Sequence, residues 1–219
     1  MKLARYVDEA PPLSDPANVV APTKIVCIGR NYAEHAKELG HDVPAEPVIF
    51  LKPPSSVLRP EGTIIRPPQS QRVDHEGELV IVIGRLARNV RRADWRDYVL
   101  GFTCGNDVTA RDLQKKDVQF TRGKGFDTFC PIGPVIETDL DPTALQIVTR
   151  VNGEIRQNGN TRDMIFPCDV LVEFVTSVMT LVPGDVIFTG TPAGVGPLNA
   201  GDDVEVEIEG IGTLRNHVA

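Results

Sequence analysis

The chain has no surplus of basic residues, few aromatics and no long apolar run. Lysine and arginine number 23 against 30 aspartates and glutamates, giving a formal net charge of -7, and aromatics make up 5% of the 219 residues. A nucleic-acid binder needs a basic face to neutralise phosphates, so this composition excludes that class. The one basic cluster, Arg88 to Arg92 with Arg96, reads as a solvated loop and helix start. No stretch approaches the roughly 20 apolar residues that cross a bilayer. Met1-Lys2-Leu3-Ala4-Arg5 lacks the apolar core of a secretion signal, and no Asn-x-Ser/Thr sequon occurs. Cys27, Cys104, Cys130 and Cys168 are far apart and flanked by apolar residues, which predicts reduced core thiols rather than disulfides or a zinc site. These absences predict a cytoplasmic protein with neither nucleic acid nor membrane as partner.

Several catalytic signatures are missing as well. His75-Glu76 opens like a zincin helix, but Leu79 stands where the second histidine is required. There is no Walker A loop. Gly194-Val195-Gly196 is followed by Asn199 where a dinucleotide fingerprint needs glycine, and none of the five serines lies in Gly-x-Ser-x-Gly.

What is present is a β-rich pattern. With 41% hydrophobic residues the chain can bury a sizeable core, and it reads as an N-terminal arm over 1–23 followed by one domain over 24–219. Short β-branched or aromatic runs bounded by Pro and Gly predict strands at 24–28, 48–51, 63–65, 79–83, 98–104 and 132–137. Asn152-Gly153 between two such runs predicts a type I′ hairpin. Residues 166–180 form the one long amphipathic helix pattern, with Val170, Leu171, Phe174, Val175 and Val178 on a common side. Strands at 186–189, 203–208 and 213–216 close the chain. Many strands and few helices predict an α+β roll or sandwich.

Two groups of residues carry chemistry. Glu76-Gly77-Glu78 heads an apolar strand, and alternation puts both carboxylates on one face, away from Leu79, Ile81 and Ile83. Like charges held side by side suit a hard divalent cation, with Asp107, ahead of a helix-like stretch over 108–116, as a third oxygen donor. Gly77 would leave room for the backbone to approach the ion. The same spacing would also fit a solvated strand end. In the second group, His35 and Glu38 lie three apart on a short helix-like run, hence on one face. A carboxylate beside an imidazole fixes its tautomer and raises its basicity, although an ordinary surface helix carries similar residues. His41 follows the Gly40 stop and reads as exposed. Arg111 and Gln114 share a helix face, and Lys124 lies between two glycines.

Six motifs then occur in order: Ile28-Gly29-Arg30-Asn31-Tyr32, Phe50-Leu51-Lys52-Pro53, Asp74-His75-Glu76-Gly77-Glu78-Leu79, Gly105-Asn106-Asp107-Val108-Thr109-Ala110-Arg111-Asp112-Leu113-Gln114, Gly125-Phe126-Asp127-Thr128-Phe129-Cys130-Pro131, and Pro183-Gly184-Asp185 with Thr189-Gly190-Thr191-Pro192. Together the chain resembles the fumarylacetoacetate hydrolase family, in its single-domain branch. The resemblance implies the mixed β-roll of that family's C-terminal domain, a homodimer, and a Mg²⁺ or Mn²⁺ ion held by Glu76, Glu78 and Asp107. It implies His35 and Glu38 as an acid-base pair on a lid and Lys124 as a catalytic cation. Arg111, Gln114 and Thr191 are implied as substrate contacts, the last through its hydroxyl and the neighbouring amides. Larger members add a metal-ligating Asp from an N-terminal domain absent from this sequence.

The branch handles 2-oxo acids or their enols. The reading that follows is hydrolysis of a C–C bond in an acylpyruvate, of the acylpyruvase or fumarylpyruvate type, with oxaloacetate decarboxylation as a side activity. The alternatives are a 2-hydroxyhepta-2,4-diene-1,7-dioate isomerase or decarboxylase and, in another class, a non-catalytic metal- or metabolite-binding protein.

Overall fold

The computed structural model of the protein describes residues 22–38, 40 and 42–219. Residues 1–21 of the expected arm, Leu39, and His41 with its expected exposure lie outside them.

Strand β1 (Ile25–Gly29) leads into a short helix α1 (Ala33–Glu38) and then β2 (Val48–Lys52). Two short strands, β3 (Val57–Leu58) and β4 (Thr63–Ile64), precede β5 (Val73–His75) and the long β6 (Gly77–Ile83). Next come β7 (Val99–Asn106), β8 (Thr109–Ala110), and the helices α2 (Arg111–Asp117) and α3 (Thr121–Lys124). The second half holds β9 (Cys130–Glu137), β10 (Gln146–Val151), β11 (Glu154–Asn160) and α4 (Cys168–Val178). It ends with β12 (Val186–Phe188), β13 (Gly196–Pro197), β14 (Asp203–Ile208) and β15 (Gly212–Val218).

These strands form a seven-stranded sheet in the order β2-β1-β12-β6-β7-β9-β3, a five-stranded sheet β11-β10-β14-β15-β4, and a small sheet β13-β5-β8. Pairing is mixed: β1 runs parallel to β12, β3 to β9 and β4 to β15, while the remaining pairs are antiparallel. The β10–β11 hairpin turns at Asn152 (φ 53°) and Gly153 (φ 80°), the positive pair that a type I′ turn requires. The fold is the expected β-rich α+β roll.

Strand β6 organises the interior because it is apolar on both faces. Leu79, Ile81 and Ile83 pack with Ile147, Val206, Leu214 and the α4 residues Leu171 and Val175. Val80 and Val82 pack instead with Ile25, Cys27, Ile132 and Phe188, all from the same sheet, which must therefore curl on itself. Glu78 shares the parity of Val80 and Val82, so it falls at the mouth of that curl. All four cysteines are free and buried, as expected.

Four expectations are corrected. Gly77 faces away from its flanking glutamates, and a Cβ there would lie 2.1 Å from Thr149 Oγ1; the glycine makes room for the five-stranded sheet, not for an ion. The helix expected from 108 starts at Arg111, because Thr109 and Ala110 pair with β5 as a short strand. The buried face of α4 is Cys168, Leu171, Val172, Val175 and Thr176, whereas Val178 is 60% exposed. Arg96 is not simply solvated: its guanidinium lies 4.8 Å from the Phe102 ring centre and donates to the carbonyls of Thr138 and Leu140.

The turn before β12 is tied down by one carboxylate. Asp185 is fully buried and accepts from the amides of Thr23, Lys24 and Val182, with Lys24 Nζ at 2.7 Å. Burial alone would raise its pKa, but Lys24 and the donated N–H groups outweigh it and hold the carboxyl below its ordinary value. Asp185→Asn is expected to cost about 2–4 kcal/mol near neutral pH, since Nδ2 would face the Val182 amide and the ion pair would be lost. A group with a lowered folded pKa stabilises fully above its unfolded value, about 3.9, and progressively less as pH falls through the folded value. Urea unfolding of both proteins should therefore show a constant gap above about pH 5 that narrows below about pH 4.

Candidate metal centre

The register of β6 against β7 builds the site. Gly77 pairs with Asn106, which places Glu76 directly beside Asp107. The Glu76 amide donates to Asn106 Oδ1 at 2.9 Å, and the Asp107 amide donates to the Glu76 carbonyl at 2.8 Å. Glu76, Glu78 and Asp107 are buried, and one carboxylate oxygen from each lies within 4.8 Å of the others. A solvated strand end is thereby excluded.

Buried carboxylates this close repel unless they are compensated, and the chain supplies cations in alternation with them. Lys52 Nζ sits 2.5 Å from Asp107 Oδ1 and 3.2 Å from the Val108 carbonyl. Lys124 Nζ bridges Asp107 Oδ2 at 2.6 Å and Glu76 Oε2 at 2.7 Å. Arg111 reaches Glu76 Oε1 at 2.5 Å and Asp74 Oδ2 at 2.9 Å, and Arg72 closes the row on Asp74 Oδ1 at 2.8 Å. Asp74 and Lys52 had no role in the sequence reading. A lysine inside the apolar strand Val48–Lys52 was the available signal, since such a charge is seldom buried without a partner.

Glu78 is left out of this row. Among the described residues its one donor is the Gly190 amide, at 2.7 Å. Burial, followed by the charges of Asp107 and Glu76, pushes its pKa well up. For Glu76 burial acts in the same direction, but Lys124 and Arg111 prevail and its pKa is lowered. Burial would lower the pKa of Lys124, and the attraction of Asp107 and Glu76 raises it instead. An all-oxygen donor set with one uncompensated carboxylate fits a hard divalent cation of the Mg²⁺ or Mn²⁺ kind.

A cavity of about 290 Å³ opens over these carboxylates, lined also by His35, Arg111, Gln114, Lys124 and Thr191. His35 comes from α1 and is 5% exposed, and its Nδ1 lies 3.2 Å from Glu38 Oε2 as their spacing predicts. Glu38 also accepts from the Gly194 amide. Arg111 Nη1 donates to Gln114 Oε1 at 2.7 Å, confirming their shared face. Thr191 lines the cavity, but its hydroxyl donates to the Gly77 carbonyl at 2.9 Å and accepts from Gln157 Nε2 at 2.7 Å. The expected donation of that hydroxyl to substrate is therefore corrected. Gln157 also accepts from the Gly77 amide, so Gly77 is clasped on both sides. Phe126 and Phe129 pack together, with Phe129 fully buried.

A curled mixed β-roll with a buried carboxylate trio, a cavity and a neighbouring imidazole defines the class: an enzyme fold with a candidate divalent-metal centre. Residues 24–219 match the fumarylacetoacetate (FAA) hydrolase C-terminal family, and the chain belongs to it. It is 46% identical over 214 residues to the human mitochondrial oxaloacetate tautomerase FAHD2A, covering 92% of this chain and 68% of that protein. Two solved structures are each 50% identical to it. One is a 5-carboxymethyl-2-hydroxymuconate delta-isomerase from Mycobacterium smegmatis, with a TM-score of 0.87 over 92% of this chain and 80% of that one. The other is a 2-hydroxyhepta-2,4-diene-1,7-dioate isomerase from Mycobacterium marinum, with a TM-score of 0.86 over 91% and 75%. No helix among the described residues is long and apolar enough to cross a membrane.

The two glutamates should respond differently to neutralisation. Glu78→Gln removes an uncompensated carboxylate and is expected to leave the melting temperature in chelator unchanged or higher. Glu76→Gln interrupts the row, leaves Arg111 and Lys124 short of a counter-charge, and should cost about 3 kcal/mol. Both should weaken Mg²⁺ binding by about a hundredfold or more, read by titration calorimetry. Wild-type Mg²⁺ affinity in Glu78→Gln would dismiss it as a ligand.

Proposed function

We propose that the protein catalyses divalent-metal-dependent proton transfer at C3 of a short 2-oxo acid, interconverting its keto and enol forms. The observation that carries this reading is the His35–Glu38 pair, whose imidazole lines the same cavity as Glu76, Glu78 and Asp107. Mg²⁺ or Mn²⁺ held by those three residues would draw electron density from the 2-oxo group and stabilise the negative charge that develops when C3 loses a proton.

The chain's own groups do the rest. With Glu38 on Nδ1, that nitrogen carries the ring proton and Nε2 presents its lone pair, so His35 Nε2 removes a proton from C3 and returns it. Glu38 holds the ring and steadies its charged form. Lys124, already within reach of Glu76 and Asp107, supplies a positive charge for the substrate carboxylate or the developing oxyanion. Arg111 orients Gln114 through its side-chain oxygen, leaving the Gln114 amide hydrogens for substrate. Thr191 lines the same cavity. The relatives named as a tautomerase and isomerases support this reading.

A second reading is hydrolysis of an acylpyruvate. Glu38 remains 35% exposed, which leaves water access to the pair. His35 would then take a proton from water, the hydroxide would attack the acyl carbonyl, and the C–C bond would break to release pyruvate and a carboxylic acid. Oxaloacetate decarboxylation could accompany either reaction. We place the enzyme in the cytoplasm, supported by four free cysteines, and as a homodimer, supported by the family resemblance.

A product-resolved assay of oxaloacetate and acetylpyruvate with Mg²⁺ in D₂O separates the readings. Proton transfer predicts deuterium at C3 of recovered oxaloacetate in step with turnover, and His35→Ala should slow this by about 10²-fold or more. Stoichiometric pyruvate and acetate from acetylpyruvate, with no accelerated exchange in oxaloacetate, would replace the first reading by the second.

A further inference from the structure

Beside Glu76 and Glu78 the edge of β6 is completed by side chains, because its partner strand has ended. The odd-numbered residues of β6 turn their backbone groups toward β12: the Ile83 amide donates to the Asp185 carbonyl at 2.9 Å, and the Leu79 carbonyl accepts from the Thr189 amide at 3.1 Å. Strand β12 stops at Phe188, so Gly77, one rung beyond Leu79, has no strand to pair with on that side. Gln157 Oε1 accepts from the Gly77 amide at 2.9 Å, and the Thr191 hydroxyl donates to the Gly77 carbonyl at 2.9 Å. These side chains replace the missing rung at the residue between the two glutamates, where unpaired backbone groups would otherwise be buried.

Gln157 is the one buried residue of β11, whose other positions are exposed or half-buried. An apolar side chain would serve packing there, and a buried amide costs free energy unless its hydrogen bonds are made. They are made: Nε2 donates to Thr191 Oγ1 at 2.7 Å and to the Pro192 carbonyl at 2.8 Å, and Oε1 also lies 3.2 Å from His75 Nδ1. The amide can face only one way, because the Gly77 N–H can only donate and the Pro192 carbonyl can only accept; His75 then carries its proton on Nδ1. These bonds join β11 to the segment 75–77 and to the turn 189–192. That turn supplies the Gly190 amide, which donates to Glu78 Oε2 at 2.7 Å. One side chain thereby fixes both the backbone from which Glu76 and Glu78 project and the turn that orients the Glu78 carboxylate. Thr149, opposite Gln157 in the β10–β11 pair, closes on the same glycine.

We infer that Gln157 is a positioning residue for the metal centre: through Gly77 and Thr191 it holds Glu76 and Glu78 at the spacing a small ion needs, and so makes the centre select Mg²⁺ over Ca²⁺. Mg²⁺ demands a near-ideal octahedron with oxygens at about 2.0–2.1 Å, whereas Ca²⁺ accepts about 2.3–2.6 Å and irregular geometry. Loosening the two carboxylates therefore penalises Mg²⁺ more than Ca²⁺. The inference rests on both glutamates being ligands, as the proposed function requires.

The test is titration calorimetry of Mg²⁺ and of Ca²⁺ into the full chain, for wild type, Gln157→Met and Thr191→Val. Methionine keeps the volume of Gln157 without its hydrogen bonds, and valine keeps the shape of Thr191 without its hydroxyl. Each variant should lose about tenfold or more in Mg²⁺ affinity, the usual worth of a group that orients a metal ligand, and about threefold or less in Ca²⁺ affinity. Thr161→Val controls for lost stability: it removes a buried hydroxyl that accepts from the Leu145 amide at 2.8 Å, and should leave both affinities at wild-type values. Unchanged affinities in the variants, equal losses for the two ions, or a wild type that prefers Ca²⁺ would each overturn the positioning role and leave the metal centre standing. If Gln157→Met does not fold, the Mg²⁺ to Ca²⁺ ratio in Thr191→Val decides; if neither folds, the clasp serves the fold alone and the inference falls. A wild type that binds neither ion removes the metal centre itself, and the proposed function with it.

Discussion

The antiparallel register between β6 and β7 is the constraint on which the site depends. It sets Gly77 opposite Asn106 and thereby brings Glu76 and Asp107, distant in sequence, into direct backbone contact. A slip of one residue would turn Glu76 and Glu78 to the other face of the strand and put Leu79 in their place. The slip is resisted because both faces of β6 are buried in separate apolar clusters, and because Gly77 has no space for a side chain against Thr149. Packing that stabilises the fold and geometry that defines the site are therefore the same contacts.

The electrostatics follow from that placement. Arg72, Asp74, Arg111, Glu76, Lys124, Asp107 and Lys52 alternate in sign along one continuous row of ion pairs. Buried rows of this kind contribute little net stability, because desolvation offsets most of the attraction. With Glu78 added, the four carboxylates balance the four cations. A divalent cation would make the centre doubly positive, which suits the binding of an anion.

The His35–Glu38 pair is held by a different device. A helix as short as Ala33–Glu38 has little stability of its own, and it is fastened at both ends. Asn31 ties its entry to Phe166 and Thr189, and Glu38 accepts from Gly194 at its exit. Tyr32 and Ala36 bury the inner side, leaving His35 over the cavity.

Local rules made much of this legible in the sequence. Alternation placed Glu76 and Glu78 on one face, i,i+3 spacing joined His35 to Glu38, and Asn152-Gly153 specified its hairpin, because each depends on backbone geometry over a few residues. The ordered motifs identified the family and drew attention to Lys124. The sequence could not show that Lys52 shares Asp107, that Thr191 is committed to Gly77, or that Gly77 yields space to Thr149, since each joins segments paired only through sheet register and curl. Nor could it show which charges meet. Arg111 and Lys124, on two short helices, find Glu76 and Asp107 from distant segments, and that pairing belongs to tertiary structure because only through-space distance decides it.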